Sequence, residues 1–377
     1  MVSCADNQLL REVTSIHFEQ TWAMNVQKNQ VKSFWSDNMK LKFYTNTLVV
    51  LLMIAAILLP GKSSAQDIHF TQFGNCVQLY NPALTGQFEQ MIKGTIIHKR
   101  QWRNVGTGYT TSGVDAQYKL LSLYNDNYAG FGLLVLQDEA GIAQQKTFMV
   151  KGTGSYHLLT GASDLLSAGF QVGYEQRSIN FDGLAWDSQY NGVNYDPTMD
   201  DQERFISTKR GFVDIGAGIN WKHKKKKKFN LGYAFFHSGQ QITMVAKGKD
   251  RLKIRQALQM TWSKRYPHFD LKYDGLLQRQ AGAQEIILGM TFSYRIGDDS
   301  RYTTNRTSSA AVAGLYYRSK DALHPFVGFE YKRALTISVG YDMRVAKMPY
   351  LEKRPGGIEI SASYLGSIGR RRMKVVH

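Results

Sequence analysis

Phe212-Val213-Asp214-Ile215-Gly216-Ala217-Gly218-Ile219-Asn220-Trp221-Lys222 is the stretch that decides the fold. Val213, Ile215, Ala217, Ile219 and Trp221 fall on one face, and Asp214, Gly216, Gly218 and Asn220 on the other. A period of two is the mark of a strand with one apolar side. The run is longer than the roughly five or six residues of a soluble strand and matches the roughly 9–11 that cross a bilayer at a tilt. Its apolar face ends in Trp, as at a lipid–water boundary.

The same pattern recurs on both sides. In Arg251–Ser263 the apolar face is Leu252, Ile254, Leu258, Met260 and Trp262, broken by Gln256. Arg251, Lys253, Arg255, Gln259 and Thr261 oppose it. Ile286, Leu288, Met290, Phe292 and Tyr294 make a third face, Leu335, Ile337, Val339, Tyr341 and Met343 a fourth, and Ile358, Ile360, Ala362 and Tyr364 a fifth. No helical period intervenes, which argues against a parallel α/β fold. The runs predict strands over 92–103, 109–121, 127–137, 144–159, 164–178, 207–223, 228–237, 250–265, 268–280, 283–297, 308–319, 322–333, 334–345 and 356–366. The expected fold is therefore all-β: one antiparallel transmembrane β-barrel of about 14 strands. A soluble sandwich is the fallback, with a second sheet in place of lipid.

Loop lengths orient the barrel. The long gaps at 179–206 and 238–249 follow odd strands, and tight joins at 224–227, 266–267 and 333–334 follow even ones. Short turns face the periplasm and long loops the exterior. The connection over 297–307 runs against that trend.

Upstream, Lys40 and Lys42 precede the apolar run Leu48–Leu59, which Pro60 and Gly61 break before Ser63-Ser64-Ala65. This is a three-part export signal with cleavage expected between Ala65 and Gln66. The run is too short for a spanning helix, which takes about 20 residues. The expected layout is a start-site extension at 1–38, a signal peptide at 39–65, an irregular segment at 66–90, the barrel at 91–366 and a basic tail at 367–377. Loss of the leader removes two of the +17 net charges. The strongly basic remainder suits anionic lipid or acidic partners, and the export signal speaks against nucleic acid. Of the two cysteines only Cys76 follows the leader, so no internal disulfide forms.

Charged clusters each carry more than one reading. The lysines at 224–228 are either an anionic contact for a periplasmic partner or a solvated turn that keeps strand edges from pairing. Arg251, Lys253 and Arg255 are placed by the alternation on the lumen side, to line an anion path, hold a plug, or pair with lumen carboxylates. Asp182, Asp187, Asp196, Asp200, Asp201 and Glu203 gather in the long outer loop; their spacing matches no metal loop, and a partner-binding loop is the stronger reading. No HExxH, CxxC, Gly-x-Ser-x-Gly or phosphate loop occurs, so neither an enzyme nor a cofactor is expected.

Gln66-Asp67-Ile68-His69-Phe70-Thr71-Gln72-Phe73, followed by Tyr80-Asn81-Pro82-Ala83-Leu84-Thr85-Gly86, resembles the mature start of the PorP/SprF family of the Bacteroidetes type IX secretion and gliding system. His98-Lys99-Arg100-Gln101-Trp102 and the closing Gly356-Gly357-Ile358-Glu359-Ile360-Ser361-Ala362-Ser363-Tyr364 fit as well. Cys76 and the basic tail depart from the family pattern. The resemblance implies a non-catalytic outer-membrane barrel that aids export or retention of a large secreted adhesin-like substrate. It implies as partners that substrate, outer-membrane lipid and other type IX components, including a periplasmic peptidoglycan-binding protein. His69, Phe70, Gln72, Phe73, Asn81 and Pro82 are the partner-binding residues it points to. A porin or solute channel is the alternative.

Overall fold

The computed structural model describes residues 68–102, 108–120, 127–141, 144–180, 187–196, 198–199, 209–224, 227–239, 251–297, 308–345 and 356–367. The leader with its Ala65–Gln66 junction, and the tail after Ser367, lie outside them, as do Asp182, Asp200, Asp201, Glu203 and Lys225–Lys226.

Fourteen strands follow one another: β1 (Ile92–Gln101), β2 (Tyr109–Leu120), β3 (Tyr128–Ala140), β4 (Gln145–Leu159), β5 (Asp164–Ser178), β6 (Lys209–His223), β7 (Lys227–Phe236), β8 (Arg255–Arg265), β9 (Phe269–Gln280), β10 (Ala283–Ile296), β11 (Ser309–Arg318), β12 (Ala322–Tyr331), β13 (Leu335–Arg344) and β14 (Gly357–Gly366). Each pairs antiparallel with its neighbours in sequence, and β1 meets β14 to close the barrel. At that seam Ile92 stands opposite Gly366 and Gln101 opposite Gly357. Closure leaves no strand edge unpaired in lipid, which is what the hydrocarbon demands of a sheet.

The period-two pattern sorts as the sequence requires. Val213, Ile215, Ile219 and Trp221 point outward and are exposed, while Asp214 and Asn220 are buried on the lumen side. Leu335, Ile337, Val339, Tyr341 and Met343 repeat this on β13, with Ser338 and Asp342 turned inward. The exposed apolar side chains thus form the belt that faces lipid.

Strand β8 departs from expectation. It begins at Arg255, not at 250, so Leu252 and Ile254 are not strand residues, and Arg251 and Lys253 are exposed at the long-loop end, the outer end in the orientation expected above, rather than lining the lumen. The reason is partnership: Arg255 pairs with Phe236, the last residue of β7, and with Gln280, the last of β9. Beyond Arg255 neither neighbour continues, and a strand without a partner leaves its backbone unsatisfied. One outer connection is also tighter than the rest. The Ala281–Gly282 hairpin has positive φ at both residues (50° and 87°), the geometry of a two-residue hairpin whose twist matches the strands.

Candidate functional site: the occupied lumen

The chain ahead of β1 lies inside the barrel. It folds as three single turns of 3₁₀ helix, Phe73–Asn75, Val77–Leu79 and Pro82–Leu84. Asn81 caps the third, its Oδ1 accepting from the Ala83 N–H at 2.8 Å, with Pro82 at the first helical position. Tyr80 ties the segment to itself: its hydroxyl accepts from Phe70 N at 2.7 Å and donates to Phe70 O at 3.2 Å. Phe70, Phe73, Cys76, Leu79 and Tyr80 then pack with the inward-facing Ile97, Leu134, Leu136, Leu276, Ile287 and Tyr316 into one apolar core. This core is shared between segment and wall, so the segment is a structural part of the barrel.

The segment crosses the lumen from one end to the other. Ile68 and His69 border a cavity at the outer end with Trp102, Tyr109 and Arg318. At the inner end Lys119 Nζ donates to Phe88 O at 3.0 Å, and Met91 N donates to Gly366 O at 3.0 Å, leading into β1.

Charge fixes its outer half. The Glu359 carboxylate accepts from Thr71 N and Gln72 N, both at 2.9 Å. Lys99 Nζ stands 3.8 Å from Glu359 and 3.5 Å from Asp342. Asp342 also meets His324 Nδ1 at 2.6 Å and Arg318 Nη2 at 3.3 Å, and Arg318 Nη1 donates to Thr71 Oγ1 at 2.7 Å. All these side chains are buried. Burying a charge is costly unless it is paired and hydrogen-bonded, and here each carboxylate has both. Burial holds the His69 imidazole below its usual range against the pull of Glu285, so their 3.6 Å contact is polar rather than ionic at neutral pH.

Close approach fixes the inner half. A Cβ on Gly169 of β5 would meet the backbone of Pro82 and Ala83, and one on Gly218 of β6 would meet the Asn81 side chain. Glycine at these wall positions lets the segment's backbone lie against the sheet. Asn81 Nδ2 donates to Ile219 O at 3.1 Å, Gly86 N to Gln117 Oε1 at 3.0 Å, and Ser155 Oγ to Thr85 O at 2.7 Å. In the middle Arg255 Nη2 donates to Leu79 O at 2.8 Å and its guanidinium lies 4.4 Å over the Phe236 ring. Of the three basic residues expected to face the lumen, Arg255 does so and grips the plug.

The six residues singled out in the opening motif therefore converge on the lumen. Phe70, Gln72, Phe73, Asn81 and Pro82 are buried against their own wall, and His69 is part-buried at the outer cavity. Their residue types announced no destination; the groups that hold this stretch come from the far end of the chain, Glu359 from the closing motif and Arg318, Asp342 and His324 from strands with no motif.

Outside the lumen core the charges are mostly structural. Among the described residues one group of carboxylate and imidazole atoms is close enough to hold a cation: Glu175, Asp214 and His237. Lys151 Nζ lies 2.7 Å from Asp214 and Arg177 Nη2 2.7 Å from Glu175, so protein cations already balance it. In the outer loop Asp196 Oδ1 accepts from Thr198 N at 2.9 Å and Thr198 Oγ1 at 2.6 Å, which holds its carboxyl below the usual range. These bonds make a local Asx-type turn. Lys224 and Lys228 are exposed at the inner end.

The sequence matches the family described as "Type IX secretion system membrane protein PorP/SprF" over residues 62–364. No curated protein matches it. Among solved structures it is similar to the CymD monoaromatic hydrocarbon channel, at 12% identity and TM-score 0.48, over 82% of this chain and 96% of that one. It is also similar to a TodX monoaromatic hydrocarbon channel mutant (deltaS2S3), at 11% and 0.48 over 77% and 94%. A Pseudomonas aeruginosa FadL homologue is similar at 11% and 0.43 over 75% and 92%. With the family match spanning the plug and all but the last residues of β14, this closed outer-membrane barrel belongs to the PorP/SprF family of type IX secretion system membrane proteins.

Proposed function

We propose that the protein is a non-catalytic accessory barrel of type IX secretion. In this reading it binds a large adhesin-like secreted substrate at its outer loops and other type IX components, a peptidoglycan-binding protein among them, at its periplasmic end. It works as a scaffold, not a conduit. The observation that carries this is the occupied lumen: Thr71 and Gln72 held by buried Glu359, and Leu79 held by Arg255, in a segment that crosses the barrel. A secreted polypeptide would have to displace it. The motif residues His69, Phe70, Gln72, Phe73, Asn81 and Pro82 serve partners indirectly, by keeping the plug seated and the loops above it in place.

The test has two parts. Affinity purification from outer membranes in mild detergent is expected to recover a large secreted protein and type IX components. Planar-bilayer recordings of the purified barrel are expected to show little steady conductance. An open, stable conductance with no co-purifying partner would replace this reading with the solute channel.

A further inference from the structure

On the periplasmic side the plug leaves a cavity of about 170 Å³ bordered by its own Phe73, Val77, Leu84 and Phe88 and by the wall residues Lys93, Lys222, Lys272, Asn230, Gln259 and Asp274. Three ammonium groups and one carboxylate line it. Asp274 is already committed, to Lys272 at 2.9 Å, to the Tyr316 hydroxyl at 3.0 Å and to Thr261 Oγ1 at 2.9 Å. Among the described residues Lys93 and Lys222 have no ion pair. The carboxylate facing Lys93 is Asp115, beyond ion-pair reach, which accepts from Gln78 and Gln117 at 2.9 and 2.7 Å. Glu89 faces Lys222 from the plug and is itself exposed. Lys119, Lys224 and Lys228 stand at the same end and add positive charge. A wall surrounded by hydrocarbon screens such charges poorly, so the field is focused on the opening.

The second observation is polar. Gln259 is 3% exposed, and neither its Nε2 nor its Oε1 has a partner in the protein; the buried Oδ1 of Asn230 has none either. A buried amide left unpaired is costly, and an unpaired donor beside unpaired acceptors suits a group that both accepts and donates. A fully deprotonated anion uses donors alone. A peptide supplies a carbonyl, an N–H and, from Asp or Glu, the carboxylate that two free ammonium groups require.

We infer that this cavity binds an acidic peptide segment of a periplasmic partner, with carboxylates on Lys93 and Lys222 and a backbone amide on Gln259. The inference uses the orientation on which the proposed function rests, but not the secretion role, and the purified barrel tests it separately from partner capture. The probe is a labelled peptide of alternating Gly and Asp, followed by fluorescence anisotropy on the full barrel in detergent, with the Gly–Asn peptide as neutral analogue. The Asp peptide is expected to bind about tenfold or more tightly than the neutral one, weakening with salt. Lys93→Gln with Lys222→Gln should remove that difference, Lys93→Arg with Lys222→Arg should retain it, and Lys253→Gln at the outer end should change nothing. Gln259→Leu should weaken binding several-fold. Heat-modifiable gel mobility reports that each variant is folded. Equal binding of the neutral analogue, or unchanged binding by the Gln double variant, would overturn the site. Displacement by inorganic phosphate at matched charge with no effect of Gln259→Leu would reduce it to a plain anion site. Failure of the Asp peptide to bind, with labelled soluble peptidoglycan fragments binding in its place, would make the partner a cell-wall glycan instead.

Discussion

Glu359 does two things with one carboxylate: it accepts the amides of Thr71 and Gln72, and it balances Lys99. Hydrogen bonds to a charged group contribute about 1.5–3 kcal/mol each. Glu359→Gln keeps the shape, removes the charge and replaces one acceptor with a donor. The expected result is hydrogen exchange at the Thr71 and Gln72 amides at least about tenfold faster, with exchange in the barrel strands unchanged. Lys151 makes a second case. It is 1% exposed and sits 2.7 Å from Asp214, which also accepts from His237 N at 3.0 Å. Breaking a buried pair costs about 3–5 kcal/mol because the remaining charge loses its counter-ion. Lys151→Met should lower denaturant resistance by that order, and Lys151→Met with Asp214→Leu should recover much of it; equilibrium unfolding of both in detergent measures the difference.

Among the elements, the wall was legible in the sequence and the plug was not. Val213 to Trp221 alternate because one side meets lipid and the other the lumen, so periodicity alone found the strands and their faces. The plug residues obey no period. Their turns are single and local, and their place is set by Gly169, Gly218, Arg255 and Glu359, which lie on β5, β6, β8 and β14. No reading of nearest neighbours brings those together. The same limit explains Arg251 to Ile254, where alternation continues for a few residues after the neighbouring strands have ended. For the plug as an element the prediction concerns fit. Gly169→Val inserts a side chain into the backbone of Pro82 and Ala83, an overpacking that costs about 1–3 kcal/mol. The barrel should stay closed while its inner half loosens, seen as a rise in bilayer conductance and in protease sensitivity within residues 81–90. A variant as quiet as the parent would mean that the seat yields without releasing the plug.

At the scale of the whole molecule, both ends of the strand array lie at the short-turn end, yet the chain entering β1 has come down from the opposite mouth. Ile68 is at the outer cavity while Ile92 starts β1 at the inner end. The prediction is topological. Ile68→Cys should be labelled on intact cells by a membrane-impermeant maleimide, whereas the parent protein, whose Cys76 is buried, should not. Labelling only after the periplasm is opened would reverse the assigned orientation, and with it the side on which Lys93 and Lys222 meet a partner.

The grip of β14 on Thr71 and Gln72 has a consequence for biogenesis. Glu359 lies on β14, and the segment it holds comes before every described strand. The outer half of the plug is not fully secured until the final strand has zipped against β1, so sealing the seam and locking that mouth of the lumen are a single late event. A barrel stalled one strand short would carry a loose, protease-accessible start of the plug, a built-in signal by which an unfinished insertion intermediate differs from a finished one.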